Sequence, residues 1–284
     1  MTRKNLPPSA RQRRLGTELR RLREQMDLSV TKAAALLGSS QPQVSSVELG
    51  RFAVSADRVR AMAHSYTCTD EALIEALAGM TGGRTRGWWE EYRDILPPDT
   101  LELAELEHHA TTMRTASVIH LPGLLQTRAH AYAVISDDVP TLAPPEVEHR
   151  VSYRIKRQAV LYGENPTPLT AIIHEAALRM GFGGADAARA QLENLLDMSE
   201  RQHITIRVIP FGAGTFPSSG QSIYLMAGTV PALDTVQLDS DHGAAFLDAQ
   251  PQLVKYRTVL DRMEACSLEP AASRDLIRRI AEDI

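Results

Sequence analysis

The sequence predicts a mainly α N-terminal domain followed by an α+β C-terminal domain with a small sheet and helical covers. Three observations lead there. Up to about residue 80 apolar residues recur at helical spacing; the run Thr81-Gly-Gly-Arg-Thr-Arg-Gly87 then breaks every regular pattern; beyond Trp88, helical segments alternate with short β-branched runs. The expected organisation is a basic arm at 1–14, a helical domain at 15–80, a linker at 81–87 and a larger domain at 88–284. A chain of 284 residues with 43% apolar composition has enough material for one small core and one substantial one.

In the first domain, Leu28 to Arg51 reads as two short amphipathic helices joined by a tight turn, the pattern of a DNA-reading helix-turn-helix. Ser29 is placed to cap the first helix, and Ala33, Ala34 and Leu37 give it one apolar stripe. Gly38 ends it, because glycine takes the left-handed conformation that turns the chain sharply. Ser40 followed by Gln43 predicts a capping box for the second helix, with Pro42 in its first turn, where a missing N–H costs nothing. Val44 and Val47 then face inward, which leaves Ser40, Gln41, Gln43, Ser45 and Ser46 on the outer side as candidate DNA contacts. Gln41 and Gln43 are the candidates for base edges, since an amide both donates to and accepts from adenine. Gly50 closes the helix and Arg51 stands where a phosphate would pass. Further helices are expected around Ser55 to Tyr66 and Asp70 to Met80.

Leu15-Gly-Thr-Glu-Leu-Arg-Arg-Leu-Arg-Glu24, Leu28-Ser29, Gly38, Val44-Ser45, Glu48 and Gly50-Arg51 follow one another in register, and the segment resembles the Cro/repressor-like (XRE family) helix-turn-helix domain. That resemblance implies a five-helix module, a buried glutamate at Glu48, and binding as a homodimer to a near-palindromic operator in double-stranded DNA. Members commonly carry a glutamine at the start of the first motif helix to grip phosphate. Val30 stands there instead, so the role passes to Thr31 or Lys32.

Charge is unevenly divided. Residues 1–66 hold 12 Lys and Arg against 5 Asp and Glu, whereas the remainder holds 19 against 30, so a basic end is joined to an acidic body although the net charge is only −4. Such asymmetry suits one domain that approaches a polyanion. Arg3, Lys4, Arg11, Arg13 and Arg14 precede or open the first helix, and the two readings of them are an arm that touches phosphates or enters a minor groove and a simply solvated N-terminus. The N-terminus has no apolar signal-like stretch, and no run approaches the roughly 18 apolar residues a membrane helix requires, so the expected location is cytoplasmic with no membrane partner. Cys68 and Cys266 stand far apart outside any Cys-x-x-Cys or Cys/His cluster, so no metal site is expected.

In the larger domain, helices are expected at 88–95, 100–113, 127–136, 145–161, 175–181, 186–201, 250–265 and 271–283, with strands at Leu169–His174, Ile204–Ile209, Ser222–Met226 and Thr235–Leu238. Pro122-Gly123 makes a turn and Thr127 caps the helix that follows, so structure alone accounts for Leu121 to Thr127. Arg150, Arg154 and Arg157 recur on one helix face and are the candidates for receiving a carboxylate or an acidic partner. Trp88-Trp89, Leu106-Glu107, Leu121-Pro-Gly-Leu-Leu-Gln-Thr127, Arg154 with Arg157-Gln158, His174-Glu-Ala-Ala-Leu-Arg179, Arg207-Val-Ile-Pro210 and Ser273-Arg-Asp-Leu-Ile277 together resemble the C-terminal domain of unknown function of actinobacterial WhiJ-like regulators. The resemblance implies transcriptional control, often with a small acidic protein encoded by the adjacent gene.

No catalytic residues and no cofactor are expected. Adjacent His108 and His109 cannot share a helix face, and His174-Glu175 lacks a second histidine at position 178. Gly181-Phe-Gly-Gly184 follows a helix rather than a strand, and a polar turn accounts for Asp239, Asp241 and His242. The sequence therefore predicts a dimeric, sequence-specific transcriptional regulator whose second domain binds a partner or ligand. An antitoxin-like module that neutralises a small acidic partner and an enzyme with a DNA-binding appendage are the alternatives.

Overall fold

The computed structural model describes residues 8–81, 87–240 and 243–284, and the chain divides into two compact units, Met1–Glu90 and Glu91–Ile284. Arg3, Lys4, most of the 81–87 linker, Asp241 and His242 lie outside the described residues.

The first unit contains α1 (Ala10–Gln25), α2 (Val30–Leu36), α3 (Gln41–Glu48), α4 (Ala56–Ser65) and α5 (Glu71–Gly79). Short polar side chains start four of these five. Ser29 accepts from the Lys32 N–H, Ser55 from Arg58 and Asp70 from Leu73, each satisfying an otherwise orphaned donor. The capping box belongs to α1, where Ser9 and Gln12 bond reciprocally. At α3 the expected box is absent: Ser40 makes no side-chain cap bond, the Gln43 N–H goes to the Ser40 carbonyl at 3.1 Å, and the Gln43 amide oxygen accepts from the Ser39 hydroxyl at 2.9 Å. Leu15, Leu19, Ala33, Ala34, Val44, Val47, Val59, Met62, Ile74 and Leu77 make the core.

The second unit contains α6 (Pro98–His109), β1 (Thr112–Ser117), α7 (Arg128–Ser136), α8 (Pro144–Arg157), β2 (Leu169–His174), α9 (Glu175–Arg179), α10 (Ala185–Ser199), β3 (Ile204–Ile209), β4 (Ile223–Ala227), β5 (Thr235–Ser240), β6 (Gly243–Leu247), α11 (Gln250–Ala265) and α12 (Pro270–Glu282). The strands form one sheet in the order β3-β2-β1-β4-β5-β6. β1 runs parallel to β2 and β2 to β3, while β4, β5 and β6 add antiparallel on the other side. Alternation sorts the side chains: Ala171 and Ile173 pack in a core with α10 and α12, and Ile172 between them joins Leu253, Leu260 and Met263 of α11 on the opposite face.

Four expectations from residue 88 onward are corrected. The helix expected over 100–113 stops at His109, and Thr112 begins β1, the strand on which both halves of the sheet are registered. β6 was not expected at all. The segment expected as one helix over 145–161 is α8 followed by a 3-10 turn at Gln158–Leu161, and Trp88–Tyr92 is likewise 3-10.

Candidate nucleic-acid interface

Glycine contacts set α3 against α1. A Cβ on Gly16 would lie 2.4 Å from the Glu48 carbonyl oxygen, and one on Gly50, whose φ is +68°, would lie 2.8 Å from the Gln12 backbone. Only hydrogens fit at both points, so α1 and the end of α3 approach to backbone contact. That approach buries Glu48 beside Arg23, whose Nε and Nη2 donate to its two carboxylate oxygens at 2.6 and 2.9 Å. Arg23 also donates from Nη1 to the Leu28 carbonyl at 2.6 Å, which ties the loop before α2 to the same point. The bonded carboxylate holds the guanidinium above its ordinary range, and burial pushes the adjacent Tyr66 phenol up to about 12.

With Val44, Val47 and Glu48 turned inward, the first turns of α3 face outward. Ser40, Gln41, Pro42 and Gln43 are exposed, and Ser45 and Ser46 are half-buried. Thr31, Lys32 and Arg51 are exposed on the same unit, Arg51 directly after α3 and Gly50. Gly38 takes φ +58° as the turn requires. Gln41 keeps both amide groups for a base, whereas the Ser39 bond occupies the Gln43 oxygen and leaves its NH2 to donate. Arg58, which the sequence reading did not single out, lines a hollow beside Gln43 and donates to the Leu37 carbonyl at 3.1 Å.

The expected arm is corrected where it is described. From Ala10 onward the chain is already α1. Arg14 is buried against Glu18 at 3.2 Å, Arg11 donates to the Gly79 carbonyl at the end of α5 at 2.6 Å, and Arg13 to the Pro8 carbonyl at 2.8 Å. Arg14 thus serves the fold, because a guanidinium sunk among helices must spend its charge on a neighbour.

In the second unit the three α8 arginines have different surroundings. Arg150 pairs with Asp138 at 3.0 Å, and Arg157 is buried with Nε and Nη2 on the Glu107 carboxylate at 2.8 and 2.5 Å. Burial alone would lower the Arg157 guanidinium; the Glu107 charge overrides that and raises it. The carboxylate expected from a partner at Arg157 is therefore supplied by this chain. Among the described residues Arg154 meets only the Gln126 amide oxygen, at 2.9 Å, and burial brings it down to about 10. His174 caps α9 through the Ala176 N–H, and among the described residues no three His, Cys, Asp or Glu side chains are grouped as a metal would need.

The model of a helix-turn-helix domain matches residues 14–77, and that of a domain of unknown function, DUF5753, matches residues 100–279. The chain belongs to the DUF5753 family. No curated protein and no solved structure matches it. The helix-turn-helix match supports a DNA-binding regulator, with the DUF5753 unit C-terminal to it, and no helix among the described residues is long and apolar enough to cross a membrane.

Proposed function

We propose that this chain is a sequence-specific transcriptional regulator, in which α3 reads the major groove and the DUF5753 unit receives a small-molecule signal. It acts by binding, without catalysis of its own. The observation that carries the reading is the outward first half of α3, exposed on a helix whose inner face is pinned by Val44, Val47 and the Arg23–Glu48 pair. Gln41 is assigned to an adenine, as donor and acceptor at once, and Gln43 to an acceptor edge such as a purine N7, since its oxygen already belongs to Ser39. Lys32 and Arg51 are assigned to phosphates. The protein acts as a homodimer on a near-palindromic operator, so its half-sites are spaced by about 34–36 Å or a multiple of it. The resemblance to WhiJ-like regulators favours the same role. The internal pairing of Arg150 and Arg157 favours a ligand over an acidic partner protein.

Selection of bound sequences from a random DNA pool tests the reading. A two-fold symmetric consensus is expected, with Gln41→Ala losing preference at one position per half-site and Gln43→Ala at a neighbouring one. A pool that yields no consensus, or variants with unchanged preferences, overturns it.

A further inference from the structure

Arg154 lies one helical turn from both Arg150 and Arg157, yet among the described residues no carboxylate comes within ion-pair range of it. A guanidinium carries five N–H donors in a planar fork, and withdrawing one from water without an anion is costly. The wall beside it is fixed. Gln126 is buried and donates to the Leu121 carbonyl at 2.8 Å, while Gln158 donates to the Gln126 carbonyl at 2.7 Å and Gln191 to the Leu125 carbonyl at 2.8 Å. These bonds anchor the Leu121–Thr127 loop and point the Gln126 oxygen at Arg154.

A second group nearby also lacks partners. His130 on α7 is 3% exposed, and neither ring nitrogen has a hydrogen-bond partner. Phe182 stands between it and the exposed His120, stacked on His120 at 5.1 Å with 22° between the planes and edge-on to His130 at 5.6 Å. Gly181, Gly183 and Gly184 hold φ at +68°, +82° and +85°, a region other residues rarely enter, so the loop that delivers this ring is specified by its glycines. Burial is the first cause that holds both imidazoles low; for His120 the Arg154 charge comes next, and for His130, at about 4, the His120 charge precedes that of Arg154. His130 is therefore neutral at pH 7, and the fixed positive charge of the cluster is that of Arg154. Asp138 is paired with Arg150, while Asp239 accepts from the neutral Gln237 amide and keeps its charge, which acts on Arg154 and His120 from beyond ion-pair range.

We infer that Arg154, with Gln126, His120, His130 and Phe182 around it, forms a site for the carboxylate of a small planar organic acid. One positive charge suits a monoanion better than a dianionic phosphate, and a guanidinium fork matches a carboxylate edge. The Phe182–His120 pair supplies the flat wall against which an aromatic body rests. The His130 nitrogens are the polar groups such a ligand would satisfy. The inference rests on the reading of the DUF5753 unit as the receiver of a small molecule.

The test uses the full 15N-labelled chain without DNA. Imidazole 1H–15N spectra follow His120 and His130 while sodium benzoate, benzamide or inorganic phosphate is added at constant ionic strength. Saturable shifts of both histidines are expected with benzoate, and none with benzamide or phosphate at the same concentrations. Arg154→Gln is expected to weaken benzoate at least about tenfold, the loss of a charged partner. Should that variant fold poorly, His120→Ala, an exposed change, is expected to weaken it severalfold with an unchanged melting temperature. No saturable response to benzoate, an equal response to benzamide, or benzoate affinity unchanged in the variants overturns the inference. Operator recognition plays no part in the measurement, so a failure of either reading leaves the other readable.

Discussion

Replacing Glu48 by alanine tests whether the α1–α3 lock carries the stability of the DNA-binding unit. The carboxylate accepts two hydrogen bonds from Arg23 at 2.6 and 2.9 Å, and both side chains are about nineteen-twentieths buried, at 6% and 5% exposure. Removing one member of a buried pair costs about 3–5 kcal/mol, because the other charge is left without its counter-ion. Here the lower end applies: Arg23 keeps its bond to the Leu28 carbonyl and has Glu24 at 3.5 Å. A loss of about 3 kcal/mol is a large share of the roughly 5–15 kcal/mol that holds a domain together. Hydrogen exchange followed by mass spectrometry on peptides from residues 10–79 reads the loss directly. Exchange through global opening is expected to accelerate by about a hundredfold, since each 1.4 kcal/mol is a factor of ten. The double replacement Arg23→Met with Glu48→Leu is expected to recover most of the protection, because well-packed apolar residues commonly substitute for a buried ion pair at no net cost. Acceleration below about fivefold in Glu48→Ala, equivalent to about 1 kcal/mol, refutes the assignment of this pair as the lock.

Gly16→Ala gains up to about 1 kcal/mol of helix propensity but puts a Cβ 2.4 Å from the Glu48 carbonyl oxygen, so a net loss of about 1–2 kcal/mol is expected in urea unfolding; a stabilised variant would contradict the close approach. Arg51→Ala is expected to weaken DNA binding equally across sequences and to reduce the slope of log K against log salt by about 0.9, as measured by fluorescence anisotropy over a salt series. For His130 the folded value of about 4 lies below the unfolded 6.5, so above pH 6.5 neither state is charged and the group has no effect. As pH falls from 6.5 toward 4 the unfolded chain takes up a proton that the folded chain refuses, and stability drops by up to about 3 kcal/mol. Urea midpoints of the unchanged chain and His130→Leu at pH 7.5, 5.5 and 4.5 should therefore diverge toward acid, with the variant the more resistant; parallel curves would exclude a buried neutral imidazole.

The helix-turn-helix was readable because each of its signals is local. Ser29 caps through its own next turn, Gly38 turns on its own φ, and Val44 and Val47 declare the inner face by their spacing alone. The Ser40–Gln43 box failed for reasons equally local, the Gln43 N–H going to the Ser40 carbonyl and its side-chain oxygen to Ser39. In the second unit, β1 was missed because Thr112-Met-Arg-Thr-Ala-Ser117 alternates weakly, with Thr115, Ala116 and Ser117 all buried. No glycine or proline separates it from α6. β6 is an edge strand built largely on glycine and alanine, poor strand formers that find their place by pairing with β5.

The deeper gap concerns charge. Regular spacing put Arg150, Arg154 and Arg157 on one face but carried no information about what each would meet, because Glu107 lies 50 residues before Arg157 and Asp138 lies 12 before Arg150. Both units hold a helix in place by the same means, a bidentate arginine on a buried glutamate: Arg23 on Glu48 and Arg157 on Glu107. Once those pairs are known, the remaining cations sort themselves. Arginines whose carboxylate comes from their own fold are structural, whatever their helical spacing suggests. Lys32 and Arg51 beside α3, and Arg154 against the Leu121–Thr127 loop, are among the described cations that make no ion pair, and their places beside the outward face of α3 and the fixed loop make them the positions where an anion from outside has work to do.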